Sequence, residues 1–283
     1  MGSVGVVGLG LIGAALCRRL VATGPAPVVY DIRAHALDAA VSAGSIAATS
    51  SREVAERCEI VLVAVQTDDQ CLSAVAGRDG LLEGAQRESC IAILSTVLPE
   101  TIKSLAIMAA QRGVALVDSP LAGHGMFSVA DGTMSALVGD DGPAFEHLRP
   151  TLLRFASNVV PAGGLGSGAA LKLAHNIVAY AGIAAMVEAM ELARAAGVRD
   201  GLVETVAGRS GALSELGSFA VPFYKHFRDD PHAPEEDEML QVAAALLEKD
   251  LSDAVALGIS YEVELPLASF LSHIGGRIFQ LDL

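Results

Sequence analysis

The sequence predicts an α/β fold, in which an N-terminal, doubly wound and mostly parallel sheet is followed by an all-α C-terminal region. Short apolar runs alternate with helical patterns over about the first 160 residues, as is typical of parallel strands with helices on both faces of the sheet. From residue 168 onward the apolar spacing is nearly all helical. The glycine-rich stretch "AGGLGSG" separates the two patterns, so we predict domains of residues 1–164 and 165–283.

The first domain is predicted as a regular alternation of elements. Strands are predicted at 3–7, 26–31, 45–50, 59–65, 90–96 and 114–120, and helices at 11–22, 35–44, 51–58, 69–76 and 99–113. Ser50 or Ser51 is available as the cap of one helix, and Pro99 opens another. Two more strands, at 134–140 and 158–163, flank a helix near 142–156.

The second domain begins with a long apolar helix, predicted from about Ala169 to Ala196, which corresponds to roughly 40 Å. Its charged and polar residues leave an uncharged run of only twelve residues, too short to cross a bilayer. We therefore expect a buried helix shared between subunits. The acidic segment "RDDPHAPEEDE", residues 228–238, is predicted to be a solvated loop.

Composition limits the function classes. The hydrophobic content of 52% is typical of a globular protein, and the formal net charge of −14 disfavours nucleic acid and anionic membranes as partners. The cysteines lack metal-ligand spacing, so we expect reduced, buried thiols and no metal site. The apolar start has no basic region typical of a signal peptide, and we expect a cytoplasmic protein.

A glycine motif carries the first functional prediction. Gly8, Gly10 and Gly13 form G-x-G-x-x-G between a predicted strand and a predicted helix, and Asp31 ends the next strand. This is the context of a dinucleotide site, where a pyrophosphate needs backbone N–H groups and room at a helix N-terminus. Glycines used only for close packing are the alternative. We predict cofactor contacts from Gly8, Leu9, Gly10, Leu11, Ile12, Gly13, Asp31, Ile32, Arg33 and Val65.

Asp31 indicates which dinucleotide binds. Its carboxylate can accept both hydroxyl groups of an adenosine ribose and would repel a 2′-phosphate, which favours NAD over NADP. Arg33, two residues later, could pair with a phosphate, so NADP is kept as the alternative cofactor. An ordinary turn residue at position 31 is the other interpretation.

Two further stretches are candidate substrate sites. "DSPLAGHG", residues 118–125, ends a predicted strand, where ligands of such sheets bind, and its turn has N–H groups that could hold a carboxylate. An unremarkable turn is the alternative. In "GSGAALKLAHNIV", Lys172, His175 and Asn176 share one helix face. The alternative there is a lysine that extends to water.

Together these stretches resemble the β-hydroxyacid dehydrogenase superfamily, which includes 3-hydroxyisobutyrate dehydrogenase and 6-phosphogluconate dehydrogenase. The resemblance rests on "VGLGLIG", "DSPLAG", "DGTMSALVGD", the Gly-x-Gly-x-x-x-Lys-x-x-x-Asn pattern ending at Asn176, and "KDL" at 249–251. It implies a Rossmann domain, a helical domain, an active site in the cleft between them, and a homodimer or homotetramer formed through the helical domain.

The resemblance also implies residue roles. Lys172 corresponds to the general acid/base at the reacting oxygen, and Asn176 to the residue that orients substrate. Thr96 corresponds to a cofactor contact, and Lys249 to a lysine that closes over cofactor and substrate. Such a lysine needs a lowered pKa, and an apolar helix face supplies the desolvation that lowers it.

Two departures leave the substrate open. Ala122, Gly123 and His124 stand where the superfamily usually has Ser-Gly-Gly, and the acidic segment precedes "LLEKDL". The leading hypothesis is an NAD(P)-dependent oxidoreductase that interconverts a small hydroxy acid and its aldehyde or ketone. A reductase of imines or bulkier carbonyls is the first alternative, and an NAD-binding protein without turnover is the second.

Overall fold

The computed structural model describes residues 2–229 and 233–279. The chain divides into two compact units, Met1–Lys172 and Leu173–Leu283. The sequence places its boundary at residue 164, and that assignment of domains stays a prediction. Each unit is described by itself below.

The first unit contains a six-stranded parallel sheet. Its strands are β1 (Val4–Val7), β2 (Val28–Tyr30), β3 (Ile46–Ala47), β4 (Ile60–Val63), β5 (Cys90–Ile93) and β6 (Ala115–Asp118). Its helices are α1 (Leu11–Thr23), α2 (Ala34–Ser42), α3 (Ser51–Arg57), α4 (Asp68–Ala76), α5 (Leu81–Gly84) and α6 (Pro99–Gln111). The strand order is β3-β2-β1-β4-β5-β6 with parallel pairing throughout, which confirms the predicted doubly wound sheet.

Burial explains why these strands read as continuous apolar runs. Every residue of β1, β4 and β5 is buried, because helices cover both faces of the sheet. One core includes Leu16 and Leu20 of α1, and the other includes Ile102 and Leu105 of α6. The order reverses between β1 and β4, which creates the switch point where such sheets bind ligands.

A smaller mixed sheet completes the first unit. Its strands are β7 (Leu121–Ala122), β8 (Met134–Val138) and β9 (Ala156–Pro161), with α7 (Gly125–Asp131) and α8 (Pro143–Leu152) between them. Strand β7 pairs antiparallel with β8, and β8 pairs parallel with β9. Residues 118–125, predicted as a turn that follows a strand, therefore also contain a short strand and the start of a helix. A two-residue strand shows no periodicity, so the sequence gives no signal for it.

The second unit is helical in its described residues. Its elements are α9 (Ser167–Ala195), which begins in the first unit, then α10 (Leu202–Ser210), α11 (Glu215–Asp229), α12 (Pro234–Ser260), α13 (Pro266–Leu271) and α14 (Gly275–Ile278). The prediction of a loop over residues 228–238 is wrong at both ends of the segment, because residues 228–229 and 234–238 are helical. Residues 230–232 lie outside the described residues. Pro234 suits a first helical position, and Glu236 accepts the N–H of Ala233, so this sequence starts a helix.

Helix α9 is the one helix in the described part of the chain that is long and apolar enough to cross a membrane. That criterion uses length and composition only, and core helices of soluble proteins meet it too. It is therefore weak evidence for a membrane span.

Candidate active site

The residues 8–13, here called the glycine loop, connect β1 to α1 at the switch point. Gly8 has a φ of +91°, and its N–H donates to the carbonyl of Tyr30 at 3.0 Å. A Cβ at Gly8 would lie 2.4 Å from the carbonyl oxygen of Ala64, and one at Gly13 would lie 1.9 Å from that of Gly8. Close packing of backbone therefore requires glycine at both positions.

Gly10 needs a different explanation. Its φ is −68°, which any residue adopts, and a Cβ there would meet no atom within 4 Å. It precedes α1 without a side-chain cap, and the first N–H groups of a helix have no intrahelical acceptor. The open space and these N–H groups fit a pyrophosphate, which needs both close approach and donors.

Asp31 lies beside the glycine loop and is buried. Its Oδ2 accepts the N–H of Leu9 at 2.6 Å, and its Oδ1 accepts the N–H of Arg33 at 2.8 Å. The Arg33 guanidinium adds Nε to Oδ1 at 3.0 Å and Nη2 to Oδ2 at 3.1 Å. Burial acts to raise the pKa of Asp31, but these donors outweigh it and hold the pKa below the ordinary value. The carboxylate is therefore ionised at neutral pH.

The ends of β4 and β5 bring two other predicted residues to this edge of the sheet. A Cβ at Gly8 would lie 2.9 Å from the side chain of Val65, which places Val65 against the glycine loop. The N–H of Val65 donates to Oγ of Ser95 at 2.9 Å, and Thr96, the next residue, is half-buried. Val65 is therefore adjacent to the glycine loop. Thr96 directly follows Ser95, whose hydroxyl links the end of β5 to the end of β4.

Asp118 has a role that the sequence did not indicate. Its side chain is fully buried and accepts the N–H groups of Gly166 at 2.9 Å and Ala169 at 2.8 Å. It thus caps the start of α9, the helix that carries Lys172. Burial raises the pKa of Asp118 although those N–H groups act to lower it. Asp118 and the N–H groups that it accepts are about fifty residues apart in the sequence, so no local sequence pattern predicts this cap.

The turn in which Ala122 and His124 depart from the superfamily pattern lies where β7 ends. Ala122 is buried in the strand, Gly123 is exposed, and His124 is half-buried. The N–H of His124 donates to Oγ of Ser128 at 2.9 Å. That N–H is therefore engaged within the protein, and the turn has fewer donors for a carboxylate than the sequence suggested.

In the second unit, Asn176 is at the centre of a buried polar cluster. Asn176 is 3% exposed, and its Nδ2 donates to Oδ2 of Asp250 at 2.7 Å. Tyr180 donates its hydroxyl to the same oxygen at 3.3 Å, and Nδ1 of His175 lies 3.2 Å from Oδ1 of Asn176. Because a carboxylate only accepts hydrogen bonds, the NH₂ end of the Asn176 amide must face Asp250. Burial and the adjacent carboxylate raise the pKa of Tyr180.

Lys249 belongs to the same cluster. Its Nζ lies 3.0 Å from Oδ1 of Asp250 and 2.8 Å from Oδ2 of Asp253. Burial acts to lower the pKa of Lys249, but the two carboxylates outweigh it and raise the pKa. Asp250 was given no role from the sequence. Its place beside Lys249 in the stretch "KDL", which is part of the family resemblance, was the available signal.

The four cysteines lack the features of reactive thiols. All four cysteines are buried free thiols, and burial raises their pKa to about 11 for Cys58 and about 12 for the other three. Thiols with such a pKa are poor nucleophiles at neutral pH. Among residues 2–229 and 233–279, no group of three or more His, Cys, Asp or Glu side chains could hold a metal ion.

Residues 3–164 match the family described as the NAD binding domain of 6-phosphogluconate dehydrogenase. The chain belongs to the β-hydroxyacid dehydrogenase superfamily. An uncharacterised oxidoreductase of Mycobacterium tuberculosis is 34% identical over 265 residues, 94% of this chain and 89% of the relative. The 3-hydroxyisobutyrate dehydrogenase of Pseudomonas aeruginosa is 28% identical over 284 residues, 100% of this chain and 94% of the relative.

A solved structure gives the same fold. The 3-hydroxyisobutyrate dehydrogenase of Salmonella typhimurium superposes with a TM-score of 0.84 at 24% identity, covering 99% of this chain and 95% of the other. As a member of the β-hydroxyacid dehydrogenase superfamily, the protein is an NAD(P)-dependent dehydrogenase or reductase with a Rossmann domain. NAD is its cofactor, with NADP as the alternative, and the open space at Gly10 fits such a dinucleotide.

Proposed function

We propose that the protein interconverts a small 3-hydroxy acid and its aldehyde or ketone, with Lys172 as the general acid/base. The observation that carries the proposal is the placement of Lys172 one helical turn before the buried Asn176 on α9. Residues four apart on a helix lie on one face. Lys172 is half-buried, and Asp118 caps the helix that presents it.

The chemistry needs a proton carrier beside the reacting oxygen. The nicotinamide ring, when bound, accepts or supplies the hydride. Oxidation of an alcohol also releases the hydroxyl proton, and the neutral Lys172 amine takes it; in reduction the ammonium returns it. The positive charge of the protonated lysine also stabilises a developing alkoxide. No other described lysine lies on α9, so this role falls to Lys172.

Asn176 is suited to orient the substrate because its own orientation is fixed. The bond from Nδ2 to Asp250 holds the amide in one position inside the protein. A rigid polar group contributes to catalysis by holding the reacting carbon in the geometry for transfer. Asp250 is accordingly a positioning residue in this proposal, and Lys249 is retained as the lysine expected to act at cofactor and substrate.

The substrate class follows from the relatives and from the β7 turn. The Pseudomonas aeruginosa relative is a 3-hydroxyisobutyrate dehydrogenase, so we infer a small hydroxy acid of that type. Ala122 removes the hydroxyl that the superfamily usually has, and His124 adds an imidazole. We propose that Ala122, Gly123 and His124 contact the substrate and that the preferred acid differs from 3-hydroxyisobutyrate.

The test is steady-state kinetics of Lys172→Ala and Lys172→Arg on the best acid from a panel of small hydroxy acids and cyclic imines. We expect kcat to fall at least about 100-fold in both variants, since general acid–base catalysis contributes that much and arginine does not deprotonate. Lys103→Ala, at an exposed lysine of α6, is the matched control and should keep full activity.

Binding and turnover separate the possible failures. We expect the Kd of NADH to change less than about twofold in both Lys172 variants, because the residue acts at substrate. A kcat within about tenfold of wild type in Lys172→Ala would show that the acid/base assignment is wrong. NADH binding without turnover of any compound in the panel would instead support a non-catalytic NAD-binding protein.

Assembly and location complete the proposal. We infer that the protein forms a homodimer or homotetramer through its helical region and works in the cytoplasm. Support for self-association comes from α9, because only 22% of its most apolar 18-residue stretch is buried within one chain. A second copy is the partner that we expect to cover it.

A further inference from the structure

The residues 95–98, here called the β5–α6 turn, follow the end of β5 and include Thr96. The hydroxyl of Ser95 accepts a backbone N–H from the end of β4 at 2.9 Å. Val97 is fully buried, in the core that also contains Ile102 of α6. Thr96, the predicted cofactor contact, therefore lies between two residues that the protein holds in place.

Asp68, the first residue of α4, holds the far end of the β5–α6 turn. Its Oδ1 accepts the N–H of Leu98 at 3.0 Å and the hydroxyl of Thr101 at 2.5 Å. Helix α6 begins at Pro99, and Leu98, the residue before it, provides no side-chain cap. Asp68 thus acts as the cap of α6 from a different helix, 30 residues earlier in the chain. Both bonds converge on one oxygen of the carboxylate.

The strand order places the β5–α6 turn and Asp31 on opposite sides of the glycine loop. The order is β3-β2-β1-β4-β5-β6; Asp31 follows β2, the glycine loop follows β1, and the β5–α6 turn follows β5. A dinucleotide binds across the point where the order reverses, with its pyrophosphate at the glycine loop. Since we expect the adenosine ribose at Asp31, the nicotinamide half should extend over the ends of β4 and β5.

We propose that Asp68 is a positioning residue for the cofactor, which fixes the β5–α6 turn so that Thr96 is already in place for the nicotinamide half of the dinucleotide. A turn that is ordered in the free protein binds more tightly, because binding does not have to order it. Asp68 acts through Thr96 and does not itself touch the cofactor. The proposal rests on the predicted cofactor contact of Thr96, and it does not depend on the substrate or on Lys172.

The test is the Kd of NADH and of ADP, measured by calorimetry without substrate, in wild type and Asp68→Ala. ADP keeps the adenosine and both phosphates but lacks the nicotinamide riboside. We expect the Kd of NADH to rise at least about fivefold and the Kd of ADP to stay within about twofold of wild type. A loss of fold would weaken both ligands.

Two milder variants test the bonds themselves. Asp68→Asn keeps an oxygen that can accept both bonds, so we expect its Kd for NADH to stay within about twofold of wild type. Thr101→Val removes one of the two bonds, and its effect should lie between those of Asp68→Asn and Asp68→Ala. Thermal unfolding shows whether each variant is folded at the assay temperature, and Thr101→Val carries the test if Asp68→Ala is not.

Asp69→Ala is the matched control. Asp69 is the next residue, is exposed, and carries the same charge in the first turn of α4. Its loss removes that charge but leaves the two bonds of Asp68 in place, so both Kd values should stay within about twofold of wild type.

Thr96→Ala separates the cofactor contact from its positioning, and we expect it to weaken NADH and not ADP. If Thr96→Ala weakens NADH but Asp68→Ala does not, the contact stands and the positioning role of Asp68 is overturned. The proposal is also overturned if Asp68→Ala weakens NADH and ADP equally. A loss of NADH affinity in Asp68→Ala without one in Thr96→Ala overturns it as well, because Asp68 would then act through another group.

Discussion

The glycines of the glycine loop give the sharpest test of the cofactor site, because the structure separates those required for packing from the one that is not. An alanine Cβ at Gly13 would lie 1.9 Å from the carbonyl oxygen of Gly8, so backbone must move by about 1 Å. An alanine Cβ at Gly10 would meet nothing within 4 Å. Gly13→Ala and Gly10→Ala should therefore fail in different ways.

The magnitudes follow from these contacts. Overpacking against backbone costs about 3 kcal/mol, and a unit of 172 residues loses roughly 2–4 °C of Tm for each kcal/mol. Gly13→Ala should therefore lower the Tm by about 6–12 °C. Gly10→Ala loses only the preference of a helix cap for glycine over alanine, at most about 1 kcal/mol, so its Tm should fall by no more than about 4 °C. Its Kd for NADH should nonetheless rise at least about tenfold, about 1.4 kcal/mol, because the Cβ occupies the space for the pyrophosphate.

The assay combines thermal unfolding with NADH fluorescence titration, and Gly208→Ala is the matched control. Gly208 lies in α10 and its Cβ would also meet nothing within 4 Å, so this variant should keep its Kd, and its Tm should not fall because alanine is the better helix former. If Gly10→Ala keeps its NADH affinity within twofold, the pyrophosphate does not lie against Gly10. If Gly10→Ala lowers the Tm as much as Gly13→Ala does, close packing accounts for the presence of glycine at both positions.

Two further predictions concern buried carboxylates. Asp250→Asn keeps the shape of the side chain but can present N–H groups to Nδ2 of Asn176, which is itself a donor. We therefore expect kcat to fall at least about tenfold, while the Kd of NADH stays within about twofold of wild type. An unchanged kcat would show that Asp250 is not a positioning residue. Burial raises the pKa of Asp118, so the folded state keeps this proton to a higher pH than the unfolded chain. Relative to Asp118→Asn, the wild type should therefore lose stability as the pH rises from about 4 towards neutrality, and urea unfolding at stepped pH should show that difference grow. A constant difference across that range would contradict the assignment.

The fold was predictable for those strands and helices whose own residues form a recognisable sequence pattern. Buried parallel strands are continuous apolar runs. Ser50 or Ser51 was predicted as a helix cap, and the N–H of Glu53 donates to the Ser50 hydroxyl at 3.1 Å, which identifies Ser50 as the cap. The acidic segment was mistaken for a loop because charge outweighed the helix-start pattern of Pro234 and Glu236. Strand β7 was missed because two residues show no period.

The candidate site was predictable in its residues more than in its contacts. The glycine loop and Asp31 were predicted to lie together because their spacing along the chain is typical of a strand–turn–helix unit, and the structure places them in contact. Asp118 and Asp250 were not found as functional residues, because each acts on a group that is distant in sequence: Gly166 for one and Asn176 for the other. A single sequence shows a buried carboxylate only as a polar residue in an apolar context.

Asp31 and Asp118 show how similar contacts lead to different electrostatics. Each is a buried carboxylate that accepts backbone N–H groups from a glycine-containing turn. Arg33 adds a cation to the first, and its pKa falls; burial dominates at the second, and its pKa rises. By taking the N–H of Leu9, Asp31 also fixes the conformation of the glycine loop, which leaves the N–H groups at the start of α1 as the donors for a pyrophosphate. Asp31 therefore supports the glycine loop, and we expect the same carboxylate to accept hydrogen bonds from a ribose of the dinucleotide.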